Sequence, residues 1–336
     1  MLLAISHSME IKNKLFAISG GRLKENEPLA PHTTFGVGGP AKYFYAADDP
    51  QKMAKLIEVC QRGQLPFFVL GGGSNVLVSD NGFDGLVIKI NFSKMKIKNR
   101  IMECDAGVSL NKAVGQFMAM GFVNLVWAVG IPGTIGGAIC NNAGAYGGDM
   151  AGIVESATVL RNGKIKKLKN QDCGFGYRES IFKPEKNNRS YDIILSANLK
   201  LERGDIEEAR QKMKEILRAR KEKFTEPYSA GSIFKNCVLT DNEIGEMKTK
   251  FPELPEKFVK EKIIPAGWLI DQCELRGKKI GEAKVSENHA GIIVNCGGAT
   301  AEEIVMLVSI IKQKVRSRFN IQLQEEIEYV GFGQNF

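Results

Sequence analysis

Apolar and polar positions follow two periods along this chain, and the switches between them mark its elements. "KYFYAA" reads as a strand, "DPQKMAKLIEVCQRGQ" as an amphipathic helix with Asp49 near its start, and "PFFVL" as a second strand, a β-α-β unit in miniature. "GLVIKI" continues the extended pattern and "SLNKAVGQFMAMGF" returns to the helical one. "ATVLRNGKIKKL" predicts a hairpin turning at Asn162-Gly163. "GDIEEARQKMKEILRARKEKF" predicts a long helix with Ile206, Ala209, Met213, Ile216 and Leu217 on one face, and its charge-rich character suits a boundary before a last domain. Thr300 and Glu303 form a capping box for a helix whose apolar stripe is Ile304, Leu307, Val308, Ile311 and Val315. A terminal strand, "IQLQEEIEYV", places Ile321, Leu323, Ile327 and Tyr329 on one face and turns Glu326 away from it. The segment before "KYFYAA" reads as a polar lead-in, and the chain carries no internal repeat.

The periodicity fails in two places. "FVLGGGSNVLVSD" interrupts an apolar strand with Gly71, Gly72, Gly73, Ser74 and Asn75 before extended character resumes at Val76. Consecutive glycines let the backbone form a concave nest of N–H groups that suits an anion such as phosphate, and a tight hairpin with surplus glycine is the plain alternative. The dinucleotide pattern G-x-G-x-x-G opening a helix is absent. The second block, "GIPGTIGGAICNNAGAYGGD", holds seven glycines in twenty residues with Pro132 and Asn141-Asn142. Such a segment is expected to make neither a regular helix nor a strand, and two glycine-lined walls suit a long ligand such as a dinucleotide.

Composition narrows the classes. A chain of 336 residues exceeds the size at which one core stops growing, so two or three subdomains are expected. An excess of 46 Lys+Arg over 38 Asp+Glu suits anionic ligands, but the basic residues are scattered, which points to nucleotide-sized ligands and away from nucleic acid. Seven widely spaced cysteines without a CxxC pair argue against a disulfide framework or zinc site and fit a reducing cytoplasm. The opening "MLLAISHSMEIKNK" has neither a basic n-region nor a cleavage site, and Met9 is a second candidate start; no secretion and no membrane span are expected. His7, His32 and His289 are too few and scattered for a metal cluster or a His-based triad, and His289 reads as a packing or substrate-binding residue.

Six motifs in one order then carry a resemblance: "LAPHTTFGVGGPAKYF", "LGGGSNVLV", "GIPGTIGGAICNNAGAYG", "GYRESIFK", "SAGSIFKN" and "AGWLIDQCELRGKKIGEAKVSENHAGIIVN". Together, from about Leu29 to Gly331, they resemble the UDP-N-acetylenolpyruvoylglucosamine reductase (MurB) family of flavoenzymes. The resemblance implies an α+β fold: a two-part FAD-binding domain of the vanillyl-alcohol-oxidase (PCMH) type plus a smaller α+β substrate-binding domain. The implied boundaries are 1–92 for the first flavin subdomain, completed by a C-terminal strand at 320–336, then 93–205 for the second and 206–319 for the substrate domain. Non-covalent FAD would place its pyrophosphate on Gly71 to Asn75 and its remaining length along Gly130, Pro132, Gly133, Thr134, Gly136, Gly137, Asn141, Gly144, Ala145 and Tyr146. NADPH is the implied reductant, a nucleotide sugar the implied substrate, and the implied protein is a cytoplasmic monomer. The chain resembles the subclass lacking an extra substrate-covering loop, and 238–262 looks like an insertion.

The same resemblance assigns catalytic positions to Arg178, Ser232 and Glu326, and substrate contacts to Tyr177, Lys235 and Asn236. Hydride addition to an enolpyruvyl methylene leaves negative charge on the carbon bearing the carboxylate, which a guanidinium stabilises through two hydrogen bonds. Ser232 matches the family's proton donor, a role a weak acid fills only where the site supports it. Without these neighbours Arg178 reads as a surface arginine, "SAGSIFKN" as a polar turn, and Glu325 or Glu328 as eligible as Glu326. Cys237 stands where the family usually has proline. Two other classes remain: another flavin oxidoreductase of the same fold, and a non-catalytic nucleotide-binding scaffold.

Overall fold

A computed structural model describes residues 2–183, 192–226 and 228–333. The chain divides into two compact units: Met1–Pro28, Pro40–Gly73 and Gly82–Lys221 form one, and Leu29–Gly39, Ser74–Asn81 and Glu222–Phe336 the other.

In the first unit the β-α-β reading holds. Strands Pro40–Ala47 and Phe67–Leu70 both pair in parallel with Phe83–Ile90, and Lys24–Pro28 adds antiparallel at one edge. The Asp49 carboxylate accepts from Gln51 N and Lys52 N, satisfying donors left over at the start of helix Pro50–Arg62. The expected polar lead-in is instead the helix Leu2–Ser19. Its Leu15 is fully buried, and Ile11 lies so near Gly63 that a Cβ there would meet Ile11 Cδ1 at 2.5 Å. A second sheet runs antiparallel in the order Lys164–Lys169, Val154–Arg161, Ile193–Lys200, Ile101–Asp105, Met95–Lys98. Its first hairpin turns at Asn162 (φ 50°) and Gly163 (φ 72°), the pair of positive angles that matches strand twist.

Helix Ile206–Lys223 buries Ala209 and Ile216 as expected, but Leu217 is exposed. The division between units falls in this helix's last turn, and Leu217 and Arg220 before it lie beside Gly130.

The second unit has its own antiparallel sheet, in the order Ser229–Ser232, Ile292–Asn295, Ala283–Val285, Lys279–Ile280. Helix Ala301–Phe319 buries the whole predicted stripe of Ile304, Leu307, Val308, Ile311 and Val315. Its first turn is capped twice: the Thr300–Glu303 box forms, and the Asp80 carboxylate accepts from Ala301 N and Glu302 N. The first glycine block is no hairpin. Val76–Val78 leaves the turn to pair in parallel with Glu328–Val330, whereas Phe67–Leu70 belongs to the first unit's sheet.

The terminal strand is shorter than its alternation suggests. Residues 321–327 keep the predicted faces, with Leu323 and Ile327 buried, but pairing is limited to an isolated bridge between Glu325 and Phe234 before strand Glu328–Val330. The insertion-like 238–262 forms helices Asp241–Lys250 and Glu256–Glu261, whose Ile244, Met247 and nearby Leu254 join the second core.

Candidate active site

The two glycine blocks meet. A Cβ on Gly72 would lie 2.7 Å from Gly133 Cα, and one on Gly71 would lie 2.8 Å from Thr134 Oγ1. Gly73 adopts φ 66°, a left-handed angle that favours glycine. At Gly72 main chain packs on main chain with no room for a side chain, and at Gly71 on the Thr134 hydroxyl, so the two blocks lie side by side and a long ligand can run over both. The residues present fit FAD on this ground.

The second block is more regular than its composition suggests. Thr134 Oγ1 accepts from Gly137 N and starts a short helix, Ile135–Cys140, with Gly136 packed so closely on Ala106 that a Cβ would sit 2.8 Å away. Gly136 thus has a packing reason of its own. Asn141 Nδ2 turns back to Gly137 O, and Gly144-Ala145 pair with Gly148-Asp149 around a turn that leaves the Tyr146 ring exposed at φ 50°.

Arg178 is no loose surface arginine. Its Nη2 donates to Gly144 O at 2.7 Å, its guanidinium carbon lies 5.6 Å from the Tyr177 ring centre, and its φ is 56°. The turn carrying it is tied to the second block from both ends. Asn142 Nδ2 donates to Gly176 O (2.8 Å) and Ser180 Oγ donates to Cys140 O (2.6 Å). Asn142 is buried, and its Oδ1 accepts from Ala151 N, so one side chain fixes both the glycine block and the arginine's turn.

In the second unit the segment that follows Ser232 runs beside Glu326. Ser229–Ser232 pairs with Ile292–Asn295 through a bulge, in which Gly231 takes φ 74°, and Ser232 emerges exposed at its end. The next residue, Ile233, accepts through its carbonyl from Glu326 N (2.7 Å), and Lys235 N donates to Gln324 O (2.9 Å). Glu325 is taken by an ion pair with Lys312 at 2.7 Å, so of the three glutamates in "EEIE" it is held to helix Ala301–Phe319. Asn236 Oδ1 accepts from Ala266 N, at the start of helix Ala266–Gln272.

Two residues escaped the sequence reading. Asn142 looked like its neighbour Asn141, and only its buried bonds distinguish it. Arg220 sits in a run of helix-surface basics, yet its Nε donates to Gly130 O (3.0 Å), and burial lowers its pKa from the usual arginine value while Tyr146 opposes the shift. Its position more than three turns along a charged helix offered no signal. His289 packs over Gly267 and Gly291, and burial, aided by Lys223, lowers its pKa. Among the described residues no group of three or more His, Cys, Asp or Glu could hold a metal ion, and no helix is long and apolar enough to cross a membrane.

Residues 41–169 match the model of an FAD binding domain, which makes the chain an FAD-binding flavoprotein of α+β architecture. Residues 222–330 match the UDP-N-acetylenolpyruvoylglucosamine reductase C-terminal domain. Enzymes of that name from Clostridium novyi (34% identical; 96% of this chain and 97% of the relative covered) and Geotalea uraniireducens (37%; 96% and 98%) align over nearly all of both chains. The crystal structure of the Thermus caldophilus enzyme superposes with a TM-score of 0.72 at 30% identity, covering 92% of this chain and 99% of that one. The chain belongs to the UDP-N-acetylenolpyruvoylglucosamine reductase (MurB) family, FAD-dependent oxidoreductases of peptidoglycan synthesis.

Proposed function

We propose that this chain reduces UDP-N-acetylglucosamine enolpyruvate to UDP-N-acetylmuramate with NADPH, as a cytoplasmic monomer. The observation that carries the reading is the hydrogen bond from Glu326 N to Ile233 O, which sets the residue after Ser232 beside Glu326 on adjoining segments. FAD, when bound, would supply the two-electron carrier between NADPH and the enolpyruvyl methylene. Gly71 to Asn75 would supply amides to its diphosphate, and the Gly130 to Tyr146 block would hold its remaining length.

The protein's own side chains handle the charge and the proton. Arg178 binds the substrate carboxylate and stabilises the charge that spreads onto it; Gly144 O holds one end of the guanidinium and so limits the arginine's freedom. Ser232 Oγ delivers the proton to the carbon bearing that carboxylate, and the Glu326 carboxylate acts in the same proton transfer. Tyr177, Lys235 and Asn236 contact the nucleotide sugar. The division into 1–92 with 320–336, 93–205 and 206–319 belongs to this proposal, supported by the separate sheets near each part.

The test is anaerobic. NADPH should bleach the yellow protein, and the enolpyruvyl nucleotide should restore the colour with formation of one product molecule per flavin. A protein that bleaches but is reoxidised only by oxygen would overturn the substrate assignment; a colourless protein that does not take up FAD would overturn the whole reading.

A further inference from the structure

A carboxylate can serve a proton transfer only if its main chain stays in place, and two sets of bonds hold the main chain at Glu326. On one side Glu326 N donates to Ile233 O and Lys235 N to Gln324 O. On the other side stands Asn75. Its Nδ2 donates to Glu326 O (3.0 Å), and its own carbonyl accepts from Glu328 N (2.9 Å), after which the parallel register runs Val76 with Glu328, Leu77 with Tyr329 and Val78 with Val330. In a regular parallel ladder a residue opposite Ile327 donates its main-chain N–H to the carbonyl of residue 326 and accepts from the N–H of residue 328. Asn75 accepts as that pattern requires, but its side-chain amide stands where the main-chain N–H would donate. Only a residue with a donor two bonds beyond Cβ can make this substitution; aspartate has no proton to give at neutral pH, and alanine has no polar group.

We propose that Asn75 is a positioning residue for Glu326: its side-chain amide continues the strand ladder up to the carbonyl of the acid–base residue, so that the end of the glycine turn sets where that carboxylate stands. The proposal rests on the role given above to Glu326. It adds a second duty to a residue otherwise assigned to the cofactor.

The test combines a double-mutant cycle with hydrogen exchange. Asn75→Ala, Glu326→Gln and the double variant are compared in the reoxidation of reduced flavin by the enolpyruvyl nucleotide, measured by stopped-flow absorbance. Asn75→Ala should slow reoxidation by roughly tenfold, the scale of one lost hydrogen bond, and this slowing should vanish when Glu326→Gln is already present. Equal slowing in both backgrounds would mean that Asn75 acts only through the cofactor and would overturn the proposal. Amide exchange of the 324–330 segment, read by mass spectrometry on flavin-free protein, supplies a readout independent of turnover. Exchange should quicken in Asn75→Ala, and less in Asn75→Ser, which keeps a shorter donor. Unchanged exchange would overturn the proposal whatever happens to the flavin. If Glu326→Gln alone leaves reoxidation intact, the role of Glu326 fails instead, and faster exchange in Asn75→Ala would still show that Asn75 holds the strand.

Discussion

The glycine blocks of the first unit and the proposed Ser232–Glu326 pair of the second solve opposite problems. At Gly72 and Gly133 side chains are left out, because the main chains approach to distances a Cβ could not tolerate, and Gly71 packs equally closely on the Thr134 hydroxyl. At the proposed Ser232 and Glu326 pair the design is to present side chains, on segments held by Glu326 N to Ile233 O and Lys235 N to Gln324 O. A surface of the first kind binds many positions of one ligand weakly and is lost when one residue gains bulk. A surface of the second kind places one proton and is lost when one functional atom is removed. In its proposed role Arg178 combines the two, a guanidinium resting on the carbonyl of a glycine, Gly144.

The sharpest way to break this contrast is Gly72→Val. With a Cβ 2.7 Å from Gly133 Cα and two methyl groups beyond it, the two blocks must separate, so soluble protein should retain no flavin after gel filtration. Gly72 itself is not among the glycines with positive φ, so the cause would be bulk alone. Full flavin occupancy would reduce the turn to a structural device.

Ser232→Ala should come next. Reoxidation of the flavin by the enolpyruvyl nucleotide should slow by roughly a hundredfold or more, the scale of a lost general acid, whereas reduction by NADPH, which protonates no carbon, should change far less. Stopped-flow traces of each half-reaction decide it, and equal slowing of both would indicate a damaged site.

Arg178→Lys should harm the same step by roughly tenfold, since an ammonium keeps the charge but loses the planar pair of donors. Slowing confined to NADPH oxidation would move Arg178 to the nicotinamide.

The smallest effect belongs to a cap. Asp80→Ala removes acceptors for Ala301 N and Glu302 N and should cost about 1 kcal/mol, seen as a lower thermal midpoint with flavin content unchanged. A loss of flavin would show that the end of the "GGGSNVLVSD" segment reaches the cofactor as well as the helix.

Short-range order was written in the sequence. The Thr300–Glu303 capping box, the Asn162-Gly163 turn and the stripe of helix Ala301–Phe319 depend on neighbours within a few residues, and the sequence pattern reports those directly. The glycine blocks were visible as breaks in that periodicity, and the motif order identified the family. Long-range partners were not visible. That Gly72 faces Gly133, that Asn142 and not Asn141 secures the arginine's turn, that Arg220 bonds Gly130 and that Asn75 bonds Glu326 are pairings of residues 34 to 251 positions apart. The chemistry of an amide, a guanidinium or a missing Cβ is the same wherever it stands in a chain, so the sequence determined which groups this protein possesses. Only the tertiary structure decided which carbonyl each of them meets, because that choice is made by the packing of whole sheets and helices and not by the residues next to it.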